Sequence, residues 1–351
     1  MSRSTDRNQS PQEMFVRMAR EHQPRFHFEA WDGSFEDWKA TARPEIEKCL
    51  GAFPDTVDPN PELAVEWEED GLRKQRWLID VNPHLTAGVL VFYPGDLGEG
   101  EARPALLCWH GHGDHGKESV MGNRSSPERR TVIEAHNYDY GLQMAQSGFV
   151  TYAVDWLGKG DLDDNDKPNW RRDWGGRDWC NLYYLHATMF GMTSIAINVG
   201  IGMAATGFVS SLPGVDADRL GVMGLSGGGT MTLWSAFCDA RIKAAEIMCY
   251  SDLWEAFGMR DINYCGMQVA PGLYALVDLP DLQGLLAPMP LLVDIGVRDT
   301  CFRVETALPC FRQVEKIYAA AGAGDKLELD LHPNEHSWGG DKSVEFFQNA
   351  L

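Results

Sequence analysis

The sequence predicts an α/β protein built on a mostly parallel central sheet that begins antiparallel and carries helices on both faces. From about residue 76 onward, short runs rich in apolar residues alternate with segments of helical spacing. Nearly continuous apolar runs are typical of strands that are buried on both faces of a parallel sheet. The first two runs lie close enough along the chain to form a hairpin, which predicts the antiparallel start.

Residues 1–75 are predicted to form a helical N-terminal extension ahead of a main domain at 76–351. Residues 11–20 and 34–50 have the apolar spacing of helices. Pro44 lies inside the second segment, and a proline there predicts a kink or a break.

The main domain is expected to contain alternating strands and helices. The strands are predicted at residues 76–81, 87–93, 104–110, 149–155, 219–225, 242–250, 290–296 and 326–332. The helices are predicted at residues 131–147, 191–211, 230–239 and 304–321. Two insertions, at about 156–190 and 251–288, interrupt the alternation, and connections of this length usually form lids or pocket walls.

The composition restricts the classes of partner. The 351 residues include 44% hydrophobic and 23% charged residues, and no apolar run approaches the roughly 20 residues that a membrane span needs. The net charge of −20 opposes binding to nucleic acid and to anionic membranes, because both are polyanions. A small-molecule substrate is therefore the expected partner, and the sequence leaves a homo-oligomer open.

The polar amino terminus and the cysteines favour a cytoplasmic location. Residues 1–13 lack the apolar segment of a secretory signal. The eight cysteines are scattered without a C-x-x-C pair and are interpreted as buried thiols, although an even number leaves pairing open.

The most informative stretch is RLGVMGLSGGGTMTLW, at residues 219–234. It contains Gly224-Leu225-Ser226-Gly227-Gly228, a G-x-S-x-G pattern between a predicted strand and a predicted helix. Gly224 and Gly228 remove side chains that would collide at a sharp turn, and Ser226 would project above the sheet as a nucleophile. A glycine-rich phosphate loop is the alternative, but no G-K-[ST] follows.

A nucleophilic serine needs a base and an acid that orients the base. Asp299 follows the strand at 290–296, and His336 lies in the loop after the last strand. Asp252 is the alternative acid and His332 the alternative histidine, while Asp294 lies within a strand and is expected to point into the sheet.

With these residues in the order Ser226, Asp299, His336, the chain resembles the α/β-hydrolase superfamily, and within it the bacterial acetyl xylan esterase and dienelactone hydrolase-related branch. The resemblance covers roughly residues 76–351 and includes the stretches LPGVDADRLGVMGLSGGG and GVRDTCF. Dienelactone hydrolases use a cysteine nucleophile, and the serine at this position favours esterase chemistry.

The resemblance implies an α/β-hydrolase fold and a serine esterase that cleaves a carboxylic ester, such as an acetyl or other short acyl ester, without a cofactor. It also implies an oxyanion hole formed by the backbone N–H groups of Gly227 and His112, the latter in the loop His110-Gly111-His112. Thioester, peptide or carbon–carbon bond hydrolysis can use the same triad. A protein of this fold that binds without catalysis is a further alternative.

Two features have competing interpretations. Residues 110–115 match the pattern H-x-H-x-D-H, which resembles the zinc-binding motif of metallo-β-lactamases and leaves a zinc-dependent hydrolase as an alternative. Regular strand–helix alternation and the complete G-x-S-x-G turn favour the metal-free interpretation. Trp170, Trp174 and Met267, in the two long connections, are candidates for a substrate pocket, although such residues often only pack a loop down.

Overall fold

The computed structural model describes residues 7–164 and 178–351, and the strands of this part of the chain form one central sheet. The strands are β1 (Glu62–Glu69), β2 (Leu72–Asn82), β3 (Leu85–Tyr93), β4 (Arg103–Trp109), β5 (Val150–Val154), β6 (Val215–Leu225), β7 (Ile242–Met248), β8 (Leu291–Gly296) and β9 (Leu327–His332). Their order across the sheet is β1-β2-β3-β5-β4-β6-β7-β8-β9.

The sheet begins antiparallel and continues parallel, as predicted. The pairs β1–β2, β2–β3 and β3–β5 are antiparallel. From β5 through β4 to β9, every pair of neighbouring strands is parallel. The carboxyl ends of these parallel strands therefore meet at one edge of the sheet, where loops can converge on a site.

Helices cover both faces of the sheet. They are α1 (Pro11–Glu21), α2 (Phe35–Cys49), α3 (Lys117–Val120), α4 (Pro127–His136), α5 (Tyr140–Gln146), α6 (Trp179–Met189), α7 (Ser194–Val209), α8 (Gly227–Cys238), α9 (Leu279–Gly284), α10 (Val304–Ala320) and α11 (Ser343–Ala350). Alternate residues of β4 divide between the two sides: Leu107 and Trp109 belong to one buried apolar cluster, and Leu106 and Cys108 to the other. This alternation is expected of a strand that is buried on both faces.

The N-terminal extension packs onto the main core, and its predicted end needs correction. Trp38 of α2 is fully buried, and its indole N–H donates a hydrogen bond to the carbonyl of Phe26 at 2.7 Å. Residues 62–75 are not helical, because β1 and the first part of β2 lie there and pair with the central sheet. The predicted boundary at residue 75 thus cuts through a strand.

Two helix predictions also differ from the structure. Helix α2 continues through Pro44 without a break. The helix predicted at 131–147 is instead two helices, α4 and α5, because Asn137 ends α4 in the left-handed region at φ +46°. Asparagine tolerates this conformation better than most residues and often ends helices.

The two insertions contain short elements. The first includes α6, and the second includes a π-helical turn at Trp254–Arg260, a 3-10 turn at Gly266–Gln268 and α9. All eight cysteines are free thiols in the structure. No helix in the described ranges combines the length and the apolar character that a membrane crossing requires.

Candidate active site

Ser226 occupies a sharp turn between β6 and α8. Its backbone lies at φ +61° and ψ −118°, a strained conformation that a residue with a side chain rarely adopts. Residues with such strain are found most often at functional sites. A Cβ atom on Gly224 would lie 2.5 Å from the carbonyl oxygen of Gly228, and one on Gly228 would collide with the carbonyl of Trp109. The two flanking glycines are therefore needed for the turn to close.

The turn is also fixed from the neighbouring strand. The backbone N–H of Ser226 donates a hydrogen bond of 2.9 Å to the carbonyl of Met248, the last residue of β7. Ser226 and His336 both line a cavity of about 550 Å³ above the carboxyl ends of the strands. The sequence therefore brings the predicted nucleophile and the predicted base to one cavity.

Asp299 lies behind His336 and orients its imidazole. Nδ1 of His336 is 2.7 Å from Oδ2 of Asp299, while Oδ1 accepts hydrogen bonds from the backbone N–H groups of Cys301 at 2.6 Å and Phe302 at 3.0 Å. Burial opposes ionisation of the carboxyl, but the hydrogen bond and the electrostatic interaction with His336, together with the backbone donors, hold the pKa of Asp299 below its usual value. The phenyl ring of Phe302 stacks on the imidazole, with 5.9 Å between ring centres.

The alternative acids make other contacts. Asp252 is buried and accepts a hydrogen bond from the N–H of Leu253 at 2.7 Å, and burial raises its pKa to about 6. Asp294 lies in β8 and pairs with Nε2 of His332 at 2.9 Å. Within the described residues, Asp299 is the acid that bonds to His336.

The loop after β4 packs directly against the serine turn. The N–H of Gly111 donates a hydrogen bond to the hydroxyl of Tyr138, and a Cβ atom on Gly111 would lie 3.3 Å from Cβ of Ser226. A Cβ atom on Gly227 would lie 2.9 Å from Nδ1 of His112. His112 and Gly227 therefore lie next to each other beside Ser226.

Two backbone donors are free in this region. Gly227 is the first residue of α8, so its N–H has no acceptor within the helix. In the described part of the chain, neither this N–H nor that of His112 donates a hydrogen bond. Unpaired N–H groups at a helix N-terminus favour negative charge, which is what a developing oxyanion presents.

The side chains of the H-x-H-x-D-H stretch do not converge on one point. His110 is fully buried; its Nδ1 donates to the carbonyl of Gly111 at 2.8 Å, and burial lowers its pKa to about 4. Asp114 is exposed and lies 3.5 Å from Nζ of Lys159. Over residues 7–164 and 178–351, no group of three metal-ligating side chains draws more than one member, His112, from this stretch.

The predicted pocket residues have different outcomes. Trp170 and Trp174 lie outside the described residues. Met267 is buried in the main apolar cluster and is not among the residues that line the cavity, so its role as a pocket residue stays a prediction. Its neighbours Cys265 and Gln268 line the cavity instead.

Sequence reasoning missed two contacts that support the site. Tyr138 bonds to the backbone of Gly111, and Nδ1 of His136 lies 2.7 Å from the carbonyl oxygen of His336. Both residues lie where the sequence predicted one continuous helix. Asn137, which lies between them, was the feature of the sequence that could have indicated the end of a helix there.

The chain belongs to the Abhydrolase family, whose model matches residues 1–200. This match ends before Ser226, Asp299 and His336. The strand order and the helices on both faces are those of an α/β-hydrolase fold, which confirms the predicted fold class.

Several known proteins are similar to this chain. A protein of Bacillus subtilis (strain 168) that is named as a hydrolase, YtaP, is 26% identical over 297 residues, which cover 82% of this chain and 90% of that protein. A Bacteroides fragilis structure named as an acetyl xylan esterase has a TM-score of 0.73 at 20% identity and covers 95% of this chain and 85% of its own. A glucuronoyl esterase from Teredinibacter turnerae has a TM-score of 0.65 at 18% identity, with coverages of 94% and 90%.

At 20% identity or less, the likenesses to solved structures show the fold alone, so the narrower resemblance to acetyl xylan esterases stays a prediction. The dienelactone hydrolase part of the resemblance stays a prediction.

Proposed function

We propose that the protein is a serine hydrolase that cleaves a carboxylic ester, with Ser226 as nucleophile, His336 as general base and Asp299 as the acid that orients the base. The observation that carries this proposal is the 2.7 Å hydrogen bond between His336 and Asp299 beside a serine on a strained turn in the same cavity. A serine, a base and an orienting acid are the parts that acyl transfer requires.

The reaction proceeds through an acyl-enzyme. Ser226 Oγ attacks the ester carbonyl carbon while its proton passes to Nε2 of His336, and the carbonyl oxygen becomes an anion. The ester C–O bond then breaks, and His336 returns the proton to the departing alcohol. Water repeats the sequence on the acyl-enzyme and releases the carboxylic acid.

The backbone N–H groups of His112 and Gly227 stabilise the oxyanion. The two residues lie beside Ser226, and within the described residues neither N–H donates another hydrogen bond. Loss of one such donor typically costs about 3 to 4 kcal/mol of transition-state stabilisation. Asp299 stays ionised through the cycle, consistent with its lowered pKa, and stabilises the imidazolium.

The cavity suits an ester whose alcohol part carries hydroxyl groups. Polar side chains line it around Ser226, namely Asp114, His136, Tyr138, Asn263, Tyr264 and Gln268. We infer a short acyl group on a carbohydrate-like alcohol, in keeping with the acetyl xylan and glucuronoyl esterases to which the fold is similar. No step of this reaction needs a cofactor.

Substitution of the nucleophile tests the proposal. S226A should remain folded and lose hydrolysis of acetylated sugars and short-chain aryl esters, whereas S211A, at an exposed serine outside the cavity, should keep wild-type rates. A fluorophosphonate probe should label Ser226 in the wild type, as read by peptide mass spectrometry.

The same assays separate the alternatives. Normal turnover by S226A, or a label on a different residue, would exclude the serine mechanism. Full loss of ester hydrolysis in a strong chelator, with recovery on adding zinc, would favour the metal-dependent alternative. If the protein hydrolysed thioesters or peptides faster than oxygen esters, the proposed triad would stand but the proposed substrate class would be wrong.

A further inference from the structure

Three side chains with metal-binding donor atoms meet beside the active-site cavity. Nε2 of His112 lies 3.1 Å from Sγ of Cys265, and these two atoms and Sγ of Cys180 all lie within 4.8 Å of one another. Cys180 is 2% exposed and Cys265 is half-buried, whereas His112 is exposed. An ion could therefore enter from the His112 side.

We propose that His112, Cys180 and Cys265 form a binding site for a zinc ion at the rim of the cavity. Two thiolates and one imidazole are ligands that zinc prefers, and the remaining tetrahedral position can hold water. With Zn–S near 2.3 Å and Zn–N near 2.0 to 2.1 Å, ligand atoms in a tetrahedral site are roughly 3.5 to 3.8 Å apart. The spacing of the three donor atoms needs only small side-chain adjustments to reach these values.

The backbone already holds the two cysteines in position. Cys180 lies in the first turn of α6, where Asp178 accepts a hydrogen bond from its N–H at 3.1 Å. The side chain of Asn181, in the same turn, accepts a hydrogen bond from the N–H of Gly266 at 2.8 Å. This bond ties α6 to the segment that carries Cys265.

Cys265 and His112 are also held by contacts that do not involve α6. The carbonyl oxygen of the Gln268 side chain accepts from the N–H of Cys265 at 3.2 Å, and its amide donates to Thr230 of α8 at 3.0 Å. The His112 ring packs edge-on against Trp156, with 5.1 Å between ring centres. The three ligands thus come from separate segments that other contacts hold in place.

The site is separate from the groups assigned to ester hydrolysis. It uses the imidazole of His112, whereas the oxyanion hole uses the backbone N–H of that residue. Two further groups of potential ligands exist in the described ranges, and both contain Cys249 with a carboxylate–histidine pair that is already hydrogen-bonded. The cluster of His112, Cys180 and Cys265 contains no such pair.

Metal titration without substrate tests this inference apart from the proposed esterase activity. Reduced, metal-free, full-length protein should take up one zinc per chain in competition with a chromogenic chelator, and cobalt should give a thiolate-to-metal charge-transfer band. C180S should bind zinc at least about 100-fold more weakly, because even outer-shell losses cost 10- to 100-fold. C238S, at a half-buried cysteine outside the cluster, should bind as the wild type does.

Three results would overturn the proposal. Wild-type affinity in C180S would show that zinc binds elsewhere, and a cobalt complex without the charge-transfer band would exclude thiolate ligation. A disulfide between Cys180 and Cys265 that persists in reductant would exclude both thiolates as ligands. The cobalt measurement uses the wild type, so it remains decisive even if C180S fails to fold.

Discussion

Replacing Asp299 with asparagine should abolish most activity while leaving the fold intact. In D299N the side-chain oxygen can keep the two hydrogen bonds from the N–H groups of Cys301 and Phe302, at 2.6 and 3.0 Å. The amide nitrogen then replaces Oδ2, which lies 2.7 Å from Nδ1 of His336. Two donors would face each other there, so the imidazole must move its proton to Nε2.

An imidazole with its proton on Nε2 cannot accept the proton of Ser226. A wrong tautomer in a triad of this kind lowers kcat by about 10⁴-fold. At 1.36 kcal/mol per tenfold, this corresponds to about 5.4 kcal/mol of transition-state stabilisation. The assay is kcat and KM on a short-chain aryl ester, with circular dichroism and thermal melting to show that D299N is folded.

D252N is the matched control. Asp252 is buried close in sequence to β7 and accepts a backbone hydrogen bond, but it does not contact His336. Substitution of Asp252 should leave kcat within about threefold of the wild-type value, because a residue that makes no contact specific to the transition state has little effect on kcat. If D299N kept more than a tenth of wild-type kcat, or if D252N lost activity as D299N is expected to do, the assignment of the acid would be refuted.

Three further predictions concern the proposed oxyanion hole and two buried ionisable side chains. In G227A the new Cβ would collide with the Trp156 ring and would lie 2.9 Å from Nδ1 of His112, so the turn or its neighbours must shift. Ester hydrolysis assays should show kcat lowered about 100- to 1,000-fold, as for the loss of an oxyanion donor. In K117M the buried carboxylate of Asp155 loses its ammonium partner, and denaturant unfolding should show a loss of about 3 to 5 kcal/mol. Burial and the charge of Asp294 raise the pKa of Glu246 to about 8 from an ordinary 4.5, so the folded protein retains this proton. The stability that the shift gives the folded protein is complete below about pH 4.5 and should be lost as the pH rises through 8. Melting curves of E246Q should therefore depend less on pH over that range.

The parallel part of the sheet was predictable because most of its strands are buried on both faces, although β9 at the edge is partly exposed. β4, β7 and β8 are mainly apolar, and nearly all of their residues are buried. β1 was missed because it is the opposite case. Its sequence, ELAVEWEE, is charged and exposed on both faces along the sheet edge, so its place in the sheet comes from pairing with β2 and not from burial.

The candidate triad was predictable from the same regularity. In a parallel sheet the loops after successive strands open at one edge, so a serine after β6, an aspartate after β8 and a histidine after β9 are brought together by topology alone. No such rule predicts the contact between Tyr138 and Gly111, because this contact depends on the end of α4 at Asn137. The burial of Met267 was not predictable either, because the sequence of a long connection does not show which of its residues turns inward.

The two interpretations of residues 110–115 compete only if each residue has one role. Gly111 lets the loop approach Ser226, and the side chain of His112 then lies against Gly227. The proposed oxyanion hole uses the backbone N–H of His112. Nδ1 of the His112 imidazole faces Gly227, while its Nε2 lies 3.1 Å from Sγ of Cys265. Backbone and side chain are independent functional groups, so an anion-binding loop can also supply one ligand to a metal site. In the proposed site the remaining ligands, Cys180 and Cys265, come from distant parts of the chain, so a local pattern such as H-x-H-x-D-H could not have indicated them.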